Sequence, residues 1–83
     1  MEIGKDIMDI VNRDFKPEEV PIVINELSSI TLNHVMAASE YNLKNTRGSI
    51  LKLAKGNIDD VIELTKSAKI DFRDVIMWAT QEE

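Results

Sequence analysis

The most constraining feature of this 83-residue sequence is a series of mostly apolar residues, spaced alternately four and three apart, in its middle third. The series consists of Leu32, Met36, Ser39, Leu43, Thr46, Ile50 and Leu53. Because an α-helix turns once every 3.6 residues, this spacing places all of them on one side of a helix. The pattern therefore predicts one long helix over about residues 31–55, with that side buried.

Amphipathic segments before this helix predict two more. Residues 3–15 place apolar side chains on one side of a helical projection and charged ones on the other. A second helix is expected to begin between Pro17 and Pro21, because proline is tolerated in the first turn of a helix. Ser28, Ser29 and Thr31, close to the end of this second helix, are good caps for the element that follows.

Two start signals predict further helices after the long one. Gly56 suits the left-handed position that follows a helix, and Asn57 suits the N-cap of the next. Asp71 repeats the start signal, and the apolar face after it is expected to turn Trp78 inward. Helical periodicity thus extends over most of the chain.

These elements predict an all-α fold, a compact bundle of four to five helices around the long central helix 31–55. A chain of this length forms one domain, residues 1–83. Folding buries about 60% of the surface of such a chain, which suffices for one small core but leaves little room for a deep substrate cavity. Leu43, Ile50 and Leu53 are predicted to lie in that core.

The amino-acid composition excludes several classes of function. The chain has no cysteine, so disulfides, thiolate metal sites and thiol catalysis are excluded. No apolar run reaches the 18 or so residues of a membrane span, and the first residues lack the layout of a signal peptide. The expected location is cytoplasmic, with no membrane contact.

A basic island interrupts an otherwise acidic chain. Residues 41–57 hold Lys44, Arg47, Lys52 and Lys55 and no acid, whereas the whole chain has a net charge of −5. These four side chains are candidates for binding an anionic ligand or nucleic acid. The acidic balance of the molecule disfavours nucleic acid, since such affinity depends on basic groups neutralising phosphates. Pairing with acids from the flanking segments would explain the island equally well.

A second face of the long helix lies opposite the side that carries the apolar series, and it is a candidate interface. Its members are Ala37, Tyr41, Gly48 and Leu51. Glycine within a helix costs about 1 kcal/mol relative to alanine unless close packing requires a small residue. The partner on this face is left open between another protein, a second copy in a homodimer, and the first helix of the same chain.

The remaining polar candidates have structural explanations. His34 is the only histidine, and no partner lies one helical turn away, so a solvated or capping role is expected. Asp71, Arg73 and Asp74 resemble an acid–base cluster, but helix capping and an ion pair explain all three. No catalytic residue, metal site or cofactor is therefore predicted, and the chain is not expected to be an enzyme.

Residues in the C-terminal half carry a family resemblance. The residues concerned are Ile50-Leu51-Lys52-Leu53-Ala54-Lys55-Gly56-Asn57, Ala68 and Asp71-Phe72-Arg73-Asp74-Val75, with Pro17-Glu18-Glu19-Val20-Pro21 upstream. They resemble a group of short uncharacterised bacterial proteins that share this pattern. The resemblance implies a small helical protein and transfers no catalytic residue.

The function expected from these observations is that of a non-enzymatic interaction or accessory module in the cytosol. The partner is an unknown protein or a second copy of the chain. Binding of an anionic ligand or nucleic acid through the basic island is the alternative.

Overall fold

The computed structural model describes residues 3–35 and 39–82, and every regular element in these ranges is helical. The elements are α1 (Lys5–Asp14), α2 (Val20–Ser28), a 3₁₀ turn (Leu32–His34), α3 (Glu40–Ala54) and α4 (Ile58–Gln81). The expected all-α class is confirmed. None of these helices is long and apolar enough to cross a lipid bilayer.

The first two helices form where the sequence predicts them. α1 buries Ile7 and Val11, which lie four residues apart on one side of the helix. α2 begins at Val20, with Pro21 in its first turn, where the missing amide proton removes no helical hydrogen bond. Its buried residues, Val23 and Leu27, again lie four apart. Both helices therefore pack by the amphipathic pattern of their sequences.

The long helix predicted from residue 31 begins only at Glu40, so the first part of that prediction is wrong. The Thr31 hydroxyl accepts a hydrogen bond from the Asn33 amide, which starts the 3₁₀ turn. Val35 then adopts an extended backbone conformation. Ser39 caps α3 by accepting a hydrogen bond from the amide of Asn42 at 3.2 Å. Short polar side chains that bond nearby amides compete with a continuous helix, and here they divide it.

α4 is bent sharply at Asp71, whose φ of −154° and ψ of 101° are not helical. A straight helix of 24 residues would be about 36 Å long. Instead, Glu82 just after α4 lies against Lys55 just before it, with 2.8 Å between Oε1 and Nζ. We call residues 58–70 the first arm and residues 72–81 the second arm. The first arm leads away from the C-terminal end of α3 and the second returns to it.

The core lies between α3, both arms of α4 and the inner faces of α1 and α2. Leu43 and Ile50 are buried as predicted, whereas Leu53 is only partly buried. Trp78 is 39% exposed and lies at the edge of the second arm's inward face rather than in the core, and its neighbour Met77 is also exposed. The inward positions of this arm are occupied by smaller residues, among them Val75.

The junction between α3 and α4 is built as its sequence predicts. Lys55 and Gly56 both have positive φ, 51° and 85°, which ends α3 in a left-handed turn. The Asn57 side chain then accepts a hydrogen bond from the amide of Asp60 at 3.0 Å and caps α4. The predicted roles of Gly56 and Asn57 are confirmed.

Candidate functional site

α1 lies beside α3 and runs in the same direction. Near the beginning of both helices, Lys44 Nζ donates to Asp6 Oδ2 at 2.8 Å. Near their C-terminal ends, the backbone of Asp14 passes so close to Gly56 that a Cβ there would lie 2.9 Å from the Asp14 carbonyl oxygen. The two helices are therefore held together at both ends.

An open groove follows the outer side of this helix pair. Its upper part has a volume of about 330 Å³ and a mainly apolar surface, formed by Ile7, Ile10, Tyr41 and Gly48. The Asp6–Lys44 ion pair and Asn45 complete the lining of this part. Its lower part has a volume of about 290 Å³ and shares Ile10 and Gly48 with the upper part. Lys52 lines the lower part together with other charged side chains. We call this surface the α1–α3 groove.

The structure separates the four residues of the predicted interface. Tyr41 is 76% exposed and lies at the upper end of the groove, and Gly48 forms part of its floor. Leu51, by contrast, is only 1% exposed, so its assignment to an exposed contact face is wrong. It belongs to the core, because α1 and the other helices cover that side of α3. Ala37 lies outside the described residues.

Gly48 is not required by the packing of α1 on α3. A Cβ atom at this position would meet Ile7 Cδ1 at 3.8 Å, an ordinary van der Waals distance. Alanine would therefore fit, and it would favour the helix by about 1 kcal/mol. Because Gly48 has no side chain, the groove is deeper at its middle than it would be with any other residue there.

Arg47 does not belong to an anion-binding surface, which corrects the prediction for this residue. It is 4% exposed, and its guanidinium donates from Nε to the Leu27 carbonyl oxygen at 3.0 Å and from Nη2 to that of Ile30 at 2.8 Å. Burial lowers the pKa of Arg47, since the charged form loses hydration. The guanidinium serves to hold the end of α2 against α3.

The other three members of the basic island differ in their partners. Lys44 pairs with Asp6 of α1, and Lys55 pairs with Glu82 after α4. In the described part of the chain, no carboxylate lies within 4.0 Å of Lys52 Nζ. The island is thus divided into one buried cation, two paired ones and Lys52, rather than forming a continuous cationic surface.

His34 and Asp71 both serve as caps. His34 Nδ1 accepts a hydrogen bond from the Thr31 amide at 3.0 Å, as expected for a capping histidine. Asp71 Oδ1 accepts from the Arg73 amide at 3.0 Å, and the Arg73 guanidinium binds both carboxylate oxygens. The side-chain hydrogen bond from Arg73 lowers the pKa of Asp71. Across residues 3–35 and 39–82, no group of three His, Cys, Asp or Glu side chains could hold a metal ion.

Sequence reasoning does not reveal that Ile7 and Ile10 form a wall of the candidate site. The periodicity assigns both to the inner face of the first helix, and Ile7 is indeed buried. Hydrophobic periodicity identifies the apolar side of α1 but does not show that its edge borders a groove. That relation depends on how α1 is placed beside α3.

Comparisons with protein-family models, with curated proteins and with solved structures each found no match. The resemblance of residues 50–79 to a bacterial group therefore stays a prediction. Function must be inferred from the surfaces of this chain itself.

Proposed function

We propose that this protein is a non-enzymatic interaction module that binds a helix of a partner protein in the α1–α3 groove. Gly48 is the observation that carries the proposal. A glycine in the middle of α3 costs stability, and packing against Ile7 leaves room for a larger residue. Close approach of a partner to the groove floor supplies a reason for the missing side chain.

The groove has dimensions that suit a helix. From Tyr41 to Lys55 the axis of α3 extends over about 21 Å, which corresponds to roughly four helical turns. Ile10 and Gly48 belong to both parts of the groove, so the apolar floor and the charged lower part form one continuous surface. Recognition of an amphipathic helix through such a surface uses apolar anchors spaced three or four residues apart.

The charged residues that line the groove indicate which charge the partner helix should carry. Lys44 and Lys55 form ion pairs with Asp6 and Glu82, whereas in the described residues no carboxylate lies within 4.0 Å of Lys52 Nζ, and Glu82 acts on Lys52 only from a greater distance. The complementary helix would place apolar residues against the upper part of the groove and an acidic residue beside Lys52. Such complementarity contributes more to specificity and association rate than to affinity.

A second copy of the chain fits this groove less well. Two copies related by a two-fold axis would set one concave surface against another, which leaves space between them. The burial of Leu51 also removes one of the contacts expected for a dimer through this face. A protruding helix would leave no such space in the groove and would need no contact with Leu51.

The proposal can be tested with a phage-displayed library of helical peptides of about 14 residues, a length that matches the groove. Selection on the wild-type protein should enrich peptides with apolar residues at helical spacing and an acid near one end. Their affinity should fall at least about tenfold, or by 1.4 kcal/mol, in Gly48→Trp and in Tyr41→Ser. Because Tyr41 is 76% exposed, its replacement should leave the fold intact.

The matched control is Ile22→Ser, which removes an exposed isoleucine of α2 away from the groove and should leave binding unchanged. Peptides that bind Gly48→Trp and Tyr41→Ser as tightly as wild type would overturn the proposal, as would a selection without enrichment. Salt-sensitive binding of a single-stranded oligonucleotide that is lost in Lys52→Glu would favour the anion-binding alternative instead.

A further inference from the structure

We infer that α4 opens at Asp71 and exchanges its second arm, residues 72–81, with a second copy of this chain. The inference is independent of the proposed groove function. It rests on the bend itself, on what the second arm buries, and on an exposed isoleucine beside the bend.

The bend in α4 is confined to one residue. Helical structure continues on both sides of Asp71, and only this residue has non-helical φ and ψ. Sharp bends in helices usually occur at proline or glycine, yet residues 66–76 contain neither. No residue in this stretch forbids a straight helix, although Asp71 favours the bend by capping the second arm. The bend is maintained by the cap that Asp71 provides to Arg73 and by the burial of the second arm.

The second arm supplies part of the core. Phe72, Val75 and Ala79 are buried on its inner side, and Lys55 binds Glu82 at its end. A straight α4 of about 36 Å would exceed the longest dimension of the molecule, 33 Å. Its second arm would then leave its own body, and these side chains would be buried again only in the equivalent position on another copy.

Arm exchange preserves the contacts of the closed form. Each body receives the same residues, Phe72 and Val75 among them, from its partner instead of from its own chain. Straightening loses the Asp71 cap but restores backbone hydrogen bonds across the bend, each contributing stability. The remaining cost is that of bringing two chains together, so the exchanged form is expected to increase with concentration.

Ile70 is the observation that points to a second copy. It is 87% exposed, the most exposed of the large apolar residues in the described chain, and it directly precedes the bend. In the exchanged dimer, two straightened helices pass each other at their former bends. Ile70 lies where the partner helix would cover it, whereas the closed form leaves it in water.

Engineered cysteines can distinguish exchange from surface association, because the natural chain has no cysteine. One version carries Lys55→Cys and a second, with a different tag, carries Glu82→Cys. In the closed form the side-chain ends of Lys55 and Glu82 meet within one chain. The two versions are mixed at about 100 μM, well above the micromolar range of specific complexes, and are then warmed, cooled and treated with a flexible bis-maleimide. This linker replaces the combined reach of the two long side chains, whereas a direct disulfide needs Cα atoms within about 7 Å. We expect a cross-linked heterodimer, because only exchange brings position 55 of one chain beside position 82 of the other.

A control pair, Lys16→Cys with Glu82→Cys, measures random linkage between exposed cysteines. A yield no higher than that of the control pair would overturn the inference. Asp71→Ala removes the cap and should raise the linked fraction several-fold, whereas Glu63→Ala, which removes an exposed carboxylate of the first arm away from the bend, should not. Equal effects of these two substitutions would show that Asp71 is not the point of opening and would likewise reject the inference.

Discussion

Arg47 donates from Nε to the carbonyl oxygen of Leu27 over 3.0 Å, although 20 positions separate them in the sequence. α2 has no basic residue in its last turn. Carbonyl groups at the end of a helix lack partners within the helix, and a cation there also interacts favourably with the helix dipole. Arg47 of α3 thus supplies both the donors and the charge that the sequence of α2 lacks.

Replacing Arg47 with methionine should destabilise the protein by about 1–3 kcal/mol, because buried carbonyl groups lose their donors. Urea unfolding followed by circular dichroism gives the change in the free energy of unfolding. Lys52→Met, on the exposed side of the same helix, should change it by less than about 0.5 kcal/mol. Equal effects of the two substitutions would show that Arg47 has no special structural role.

Leu43→Ala and Ile50→Ala should each cost about 2–5 kcal/mol, since both side chains are fully or almost fully buried. The partly buried Leu53 provides a comparison on the same helix, and Leu53→Ala should cost less than either. Thermal unfolding of the three variants tests this order. If Leu53→Ala lost more stability than Leu43→Ala or Ile50→Ala, the order of burial among these three residues would be wrong.

Gly48→Ala should stabilise the protein by up to about 1 kcal/mol, because the new methyl group meets Ile7 at an ordinary contact distance. The thermal midpoint should therefore rise. If the proposed groove function is correct, the same substitution should weaken peptide binding. A lowered midpoint would mean that α1 packs more tightly on α3 than the 3.8 Å distance indicates.

Gly56→Val should destabilise strongly, for two reasons. Its φ of 85° is strained for a β-branched residue, and the added Cβ would lie 2.9 Å from the backbone oxygen of Asp14. Asn57→Ala, which removes only the cap of α4, should cost about 0.5–2 kcal/mol. Gly4 offers a control, since a Cβ there would meet nothing within 4 Å. Because Gly4 is the N-cap of α1, where alanine is less favourable than glycine, Gly4→Ala should cost up to about 1 kcal/mol, far less than Gly56→Val.

The ion pair between Lys55 and Glu82 should make stability fall in acid. A hydrogen bond from Lys55 lowers the pKa of Glu82 below its usual 4.5 in the folded state. The stabilisation is therefore present above about pH 4.5 and is lost as the pH falls through the lower folded value. The thermal midpoint of wild type should exceed that of Glu82→Gln at pH 7, and the difference should vanish near pH 2. A difference that is constant with pH would contradict this role.

Features that depend only on neighbouring residues follow from the sequence. The turn at Gly56 and Asn57 forms as predicted because positive φ and a side-chain cap are properties of a few adjacent positions. The same holds for the cap at Asp71 and for the start of α2 near Pro21. Helical periodicity likewise predicts the all-α class, since the period of 3.6 residues is visible without any tertiary contact.

Which surfaces are covered depends on the tertiary arrangement of the helices. Leu51 and Arg47 lie on sides of α3 that the sequence pattern assigns to solvent or to a partner, yet α1 and the end of α2 bury them. The pattern places Trp78 in the core, but smaller residues of the second arm take the inward positions. Burial depends on which helix lies against which, and contacts between residues far apart in the chain leave no periodic trace in the sequence. For the same reason, the α1–α3 groove becomes visible only once α1 is placed beside Gly48.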